Sequence, residues 1–77
     1  MNKKQRKALG ELLNKLEEIR DSLQTMGDEE LEKAENLPEN LRYSAKCDEL
    51  DENSSSLCDA ASDLDDIIDG LRETFEL

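Results

Sequence analysis

The strongest constraint on the fold is an uninterrupted heptad pattern in the second half of the chain. Small or apolar residues recur there at alternating spacings of three and four, at Cys47, Leu50, Ser54, Leu57, Ala61, Leu64, Ile68, Leu71 and Phe75. This spacing places the side chains along one face of an α-helix, a face that packs against another helix. Ser44 precedes the pattern and is a favourable N-cap. The pattern therefore predicts a helix over about residues 44–76.

The first half of the chain carries a second pattern of the same kind. Its positions are Leu9, Leu12, Leu16, Ile19, Leu23 and Met26. Good helix formers fill most of the other positions, and a helix is predicted over about residues 3–36. The spacing breaks at Gly27, which indicates either a bend or a helix end followed by a new start. We favour one helix that continues past Gly27.

The two patterns match when the chain folds back near residue 42. The level pairs are Leu9–Phe75, Leu12–Leu71, Leu16–Ile68, Ile19–Leu64, Leu23–Ala61 and Met26–Leu57. Pro38 disfavours helical geometry in the residue before it and marks a connection over about residues 37–43. We therefore predict an all-α fold with a single domain, residues 1–77, built as an antiparallel, coiled-coil-like helical hairpin.

The hairpin has more apolar side chains than two heptad faces require. Leu13, Cys58, Ala60 and Ile67 lie beside the predicted heptad positions and widen the apolar face. A chain of 77 residues buries little surface when it folds alone. We therefore expect a homodimer that forms a four-helix bundle. A lone hairpin with a few exposed aliphatic side chains is the alternative.

Acidic residues are concentrated on the second helix. The net charge of the chain is −11, and the segment from Asp48 to Asp69 has nine acids and no base. Seven of the nine are Asp, which forms helices less readily than Glu. A face that needed only solvation would do better with alternating Glu and Lys. We therefore expect an acidic ridge that binds a basic partner protein, formed by Asp48, Glu52, Asp59, Asp63, Asp66, Asp69 and Glu73. A merely solubilising surface is the alternative.

Basic residues are concentrated at the N-terminus, where residues 1–20 have a net charge of +3. In the hairpin Lys3, Lys4, Arg6 and Lys7 lie level with the acidic end of the second helix. We expect these charges to neutralise one another within the chain. Because the whole chain is strongly acidic, direct nucleic-acid binding is not expected.

The hairpin tip holds the one cluster of basic and aromatic residues in the acidic half: Arg42, Tyr43 and Lys46. Such a cluster can bind a nucleotide, with its phosphate on the cations and its base on the ring. In the alternative interpretation Tyr43 packs over the end of the hairpin.

No catalytic residue, metal site or cofactor is predicted. The stretch "DLDDIIDG", residues 63–70, resembles a calcium loop, but with Asp65 in first position Ile67 takes the third, where an oxygen ligand is needed. Histidine is absent, and no nucleophile has a base beside it. Cys47 and Cys58 are about 16 Å apart along one helix, too far for a disulfide. Free thiols and the lack of an apolar stretch of about 18 residues predict a cytoplasmic protein without a membrane partner.

The segment "ENLPENLRYS", residues 35–44, stands between two acidic heptad helices. In this arrangement, and above all in "NLPENL", the chain resembles short acidic helical-hairpin proteins of phages and mobile elements of Gram-positive bacteria. No activity is established for that group, so the resemblance assigns no functional residue. It implies a mobile-element setting, where small acidic proteins often block host defence nucleases.

The leading functional hypothesis is therefore a non-enzymatic, DNA-mimic inhibitor of the anti-defence type, such as an anti-CRISPR or anti-restriction protein. Its partner is a basic host protein that binds nucleic acid. A structural or adaptor coiled coil is the first alternative. An oligomeric scavenger of nucleotide signals that uses the hairpin tip is the second.

Overall fold

The fold is a hairpin of two long helices. The computed structural model describes residues Met1–Leu77, with helix α1 at Lys3–Glu35, a 3-10 helix at Glu39–Leu41 and helix α2 at Ala45–Phe75. The two long helices pack along one another and form a rod 60 Å long. The predicted all-α helical hairpin is confirmed. Neither helix contains a stretch that is long and apolar enough to cross a membrane.

Side chains cap the N-termini of both helices. Asn2 Oδ1 accepts a hydrogen bond from Gln5 N at 2.8 Å, and Gln5 Oε1 accepts one from Asn2 N at 3.1 Å. This reciprocal pair is a capping box, and it satisfies backbone N–H groups that the helix itself leaves free. Ser44 Oγ accepts from Cys47 N at 3.4 Å, so the predicted cap of α2 is confirmed.

The predicted heptad face of α2 is the face that packs on α1. All nine of its predicted positions are buried or half-buried. Ile68, at 0 % exposure, is one of the two largest side chains that are fully buried. Small residues at Ser54 and Ala61 are also buried, which brings the two helix backbones close together at these levels.

Half of the predicted face of α1 is wrong. The heptad pattern assigns Leu12, Ile19 and Met26 to the core, yet these side chains are 55 %, 51 % and 51 % exposed. The residues that face α2 in their place lie one position later: Leu13, Arg20 and Gly27. Since neighbouring helix residues are about 100° apart, α1 is rotated about its own axis by roughly half that angle relative to the prediction.

Close approach of the helices at Gly27 favours this rotation. A Cβ atom added to Gly27 would lie 2.6 Å from Cys58 Sγ and 3.3 Å from the backbone oxygen of Ser54. Only a residue without a side chain fits at this level. Helix α1 continues through Gly27, so the alternative of a helix end followed by a new start is wrong.

Ala at Gly27 is expected to destabilise the hairpin, whereas Ala at Gly70 is expected to stabilise it. Both glycines are helical, so either replacement gains about 0.5–1 kcal/mol of helix propensity. At Gly70 nothing lies within 4 Å of the added Cβ, and the gain is kept. At Gly27 overpacking costs about 1–3 kcal/mol. Urea unfolding followed by circular dichroism compares the two variants, and equal stabilisation would contradict close packing at Gly27.

Candidate functional site

The acidic ridge lies on the outer face of α2, opposite the face that packs on α1. The heptad positions of α2 turn toward α1, and residues about half a turn away therefore point outward. All seven ridge residues are exposed: Asp48, Glu52, Asp59, Asp63, Asp66, Asp69 and Glu73. From first to last they extend along about 38 Å of helix.

None of the ridge carboxylates has a cationic partner within the chain. All five ion pairs of the structure use other acids, and no ridge side chain makes a hydrogen bond. The neighbours of the ridge differ in this respect. Asp65 pairs with Arg20, and Glu49 Oε2 lies 3.6 Å from Lys46 Nζ. The ridge is therefore a row of seven uncompensated negative charges.

Ion pairs close one side of the hairpin, where cations join α1 to α2. Arg20 pairs with Asp65 on the opposite helix, and its Nη2 lies 3.1 Å from Asp21 Oδ1. The hydrogen bond to Asp65, followed by that to Asp21, raises the pKa of Arg20. Arg72 pairs with Glu17 in the same way, from α2 to α1. These contacts fix the rotation of α1 on this side.

The other side of the hairpin is apolar and open, and the sequence analysis missed it as a separate surface. Half-exposed Leu12, Ile19 and Met26 of α1 lie there beside Ile67 of α2, which is 52 % exposed. Half-buried side chains fill the space between them: Leu16, Leu23, Leu57, Ala60, Leu64 and Leu71. We call these ten residues the open apolar face. Its signal in the sequence is the surplus of apolar residues beyond one heptad face per helix.

The level of Gly27 is the most polar part of the helix interface. Ser54 is buried there, as the predicted pairing with Glu30 requires. Glu30 Oε2 is buried without a hydrogen-bond partner, and Lys33 Nζ lies 3.6 Å away. A carboxylate and a hydroxyl thus replace aliphatic side chains, so this part of the hairpin contributes little apolar burial.

The tip residues do not gather as predicted. A shallow cavity of about 300 Å³ is lined by Leu31, Ala34, Glu35, Arg42, Tyr43, Cys47 and Asp51. Lys46 is not part of it and pairs with Glu49 instead. Tyr43 is 97 % exposed, so the interpretation that it packs over the hairpin end is wrong. The connection orients its ring into solvent and leaves it without neighbours.

The N-terminal basic residues do not pair with carboxylates at the end of α2. Arg6 Nη2 donates to the backbone oxygen of Glu76 at 3.2 Å. Lys3, Lys4 and Lys7 form no ion pair. The expected neutralisation by salt bridges is therefore wrong, and these cations remain exposed.

Both cysteines are free and half-buried. Cys47 Sγ lies 3.9 Å from Asp51 Oδ2. Burial raises the pKa of the Cys47 thiol, and the negative charges of Asp51 and Asp48 raise it further. The thiolate is the reactive form of cysteine, so this environment makes Cys47 a poor nucleophile.

Cys47 is expected to be alkylated with a higher pH midpoint in the folded than in the unfolded chain. The shift also makes folding less favourable as pH rises past the pKa of the unfolded thiol, because the folded state retains its proton. A Cys58→Ser variant leaves one thiol, and alkylation rates are measured between about pH 7 and 10 with and without urea. Asp51→Asn in the same background should lower the midpoint. A folded midpoint at or below the unfolded one would contradict this environment.

The rod thus has three distinct surfaces on which other molecules can bind. They are the acidic ridge outside α2, the open apolar face on one side, and the shallow cavity at the tip. Each is built from side chains of both known position and known exposure. Comparison of the chain with models of protein families, with curated proteins and with solved structures finds no match.

Proposed function

We propose that this chain is a non-enzymatic binding protein whose acidic ridge occupies a basic surface of a partner protein. One observation carries the proposal: the seven ridge carboxylates are exposed and unpaired, while acids next to them are held by Arg20 and Lys46. Like charges placed three or four residues apart on a helix repel one another. An arginine- or lysine-rich partner would relieve that repulsion and form charge-assisted hydrogen bonds.

The spacing of the ridge supports a partner that normally binds nucleic acid. Consecutive acids from Asp59 to Glu73 are three or four residues apart, or about 4.5–6 Å along the helix. One strand of DNA carries a phosphate about every 3.4 Å along its axis, so both are dense rows of negative charge. Arg and Lys groups arranged for phosphates also accept carboxylates. The concrete form is a DNA-mimic inhibitor of a host defence protein, of the anti-CRISPR or anti-restriction type.

The proposed protein acts as a homodimer in a four-helix bundle. Only five hydrophobic residues are buried in the single hairpin. Complete burial of an exposed Leu, Ile or Met side chain contributes about 1.5–3 kcal/mol, and the open apolar face holds several of them. A small domain with so limited a core gains most from self-association.

The nucleotide-binding alternative has less support. Glu35 and Asp51 line the tip cavity together with Arg42, and their carboxylates repel a phosphate group. Lys46, which would add positive charge, is directed to Glu49. The acidic ridge is therefore the better candidate for the functional surface.

Affinity capture from a lysate at two salt concentrations tests the proposal. Immobilised protein should retain a basic protein at about 0.1 M salt and lose it at about 1 M, because the Debye length falls from about 10 Å to about 3 Å. The captured protein should also lose its DNA-binding activity. Retention that salt does not change, or a captured protein that still binds DNA normally, would contradict the acidic-mimic function and favour a structural coiled coil.

A further inference from the structure

The open apolar face is symmetric about a single level of the rod. On α1, Leu12 and Met26 lie seven residues to either side of Ile19. On α2, Ala60 and Ile67 lie on either side of Leu64. Ile19 and Leu64 are level with one another, as the neighbouring Arg20–Asp65 pair shows. A face with this symmetry matches a copy of itself that has been turned end over end about that level.

We propose that a second copy of the chain covers the open apolar face in antiparallel orientation, with the two-fold axis near Ile19 and Leu64. A two-fold axis that crosses both helices places α1 on the partner's α1 and α2 on the partner's α2. Leu12 then packs against the partner's Met26, and Ile19 against its own copy. This arrangement specifies the proposed dimer and does not depend on what the acidic ridge binds.

The size of the face suits self-association. Helices of about 50 Å that lie side by side present a surface about 20 Å wide, or about 1,000 Å². A stable protein interface needs about 800 Å² from each partner. The apolar residues form the centre of the surface, and polar residues such as Lys33 and Asn53 surround it at the tip end. An apolar centre with a polar rim is typical of protein interfaces.

Charge distinguishes the antiparallel dimer from the parallel one. Residues 21–62, the tip half of the hairpin, have three bases and twelve acids, a net charge of −9. Residues 1–20 and 63–77 together have seven bases and nine acids, a net charge of −2. A parallel dimer sets the two tip halves side by side. The antiparallel dimer places them at opposite ends of a 60 Å rod, several Debye lengths apart.

The arrangement has a consequence for the proposed binding function, on which this one step rests. Stacking α2 on the partner's α2 leaves both acidic ridges on the same side of the bundle. The ridges then run antiparallel, with helix axes about 8–10 Å apart. Two antiparallel rows of negative charge suit a partner whose basic surface receives double-stranded nucleic acid. A parallel dimer would place the two ridges on opposite sides.

Cysteine cross-linking and mass measurement test the arrangement. In a Cys47→Ser, Cys58→Ser background, Ile19→Cys should form disulfide-linked dimers in high yield, since the two thiols meet at the axis. Ile67→Cys is the matched control, because Ile67 is as exposed as Ile19 but lies about 9 Å from its copy along the rod. It should not link to itself. Mixed Leu12→Cys and Met26→Cys chains should form the heterodimeric link.

Each outcome separates the dimer from its orientation. A dimeric mass in sedimentation equilibrium with the Ile19→Cys link supports the proposal. A dimeric mass in which Ile19→Cys links only to Ile67→Cys overturns the orientation and keeps the dimer. A monomeric mass at all concentrations overturns both and assigns the face to a different protein. None of these results affects the acidic ridge, which the capture experiment tests separately.

Discussion

Replacing Leu13 by Ala is expected to lower the free energy of unfolding by about 2–5 kcal/mol. Leu13 is 1 % exposed and, with Ile68, is one of the two largest fully buried side chains of the hairpin. Its truncation leaves a cavity between two helices that have few other apolar contacts to compensate. Because small domains are only marginally stable, a loss of this size removes a large part of the total. Urea unfolding at fixed protein concentration measures it.

Leu12→Ala is the matched control for this prediction. The two leucines are adjacent and differ only in the direction of their side chains, since Leu12 is 55 % exposed in the hairpin. Truncation of Leu12 should cost clearly less in dilute protein. At high concentration its cost should grow, because a dimer interface stabilises the fold by mass action. Equal losses for both variants in dilute protein would restore the heptad face that the sequence pattern predicts.

The helices and their pairing follow from local features of the sequence. Three- and four-residue spacing specifies helical faces, Ser44 caps α2, and Pro38 marks the connection. The rotation of α1 does not follow, because two faces satisfy the same spacing. One uses Leu12 and Ile19, and the other uses Leu13 and Arg20. The choice depends on contacts that exist only after the helices meet.

Two such contacts decide the rotation of α1. Gly27 allows a close approach to Cys58 that any side chain would prevent. Arg20 reaches Asp65 on the opposite helix. In a sequence read by hydrophobicity alone, a glycine and an arginine count against a core position. Interhelical packing and charge pairing override that preference here, and they leave a separate apolar stripe on α1.

The candidate sites could be predicted to different degrees for the same reason. The ridge is opposite the heptad face of α2, and that face has only one solution, so the exposure of Asp59 or Asp66 follows from the sequence. The position of Tyr43 depends on the irregular connection, where no periodicity constrains the side chain. Lys46 already has a partner one helical turn away in Glu49, which keeps it out of the tip cavity.

Changing Asp59, Asp63 and Asp66 together to Asn is expected to weaken binding of a basic partner by about 10- to 100-fold near 0.1 M salt. Each exposed charge contributes up to about 1 kcal/mol, and about 1.4 kcal/mol corresponds to a factor of ten. The fold should persist, since all three side chains are exposed and unpaired. Stability should rise slightly as repulsion between Asp59 and Asp63 disappears. Helicity and urea unfolding check these two points.

The loss of affinity should appear partly in the association rate and should flatten the dependence on salt, because complementary charge accelerates encounter. The matched control removes three charges from the outer face of α1 instead, by Glu18→Gln, Glu29→Gln and Glu32→Gln. These glutamates are equally exposed and unpaired. Because the control has the same net charge, a ridge that binds directly predicts a much smaller loss, below about threefold. Surface plasmon resonance against the captured partner distinguishes the two, and equal losses would mean that overall charge, and not the ridge, determines binding.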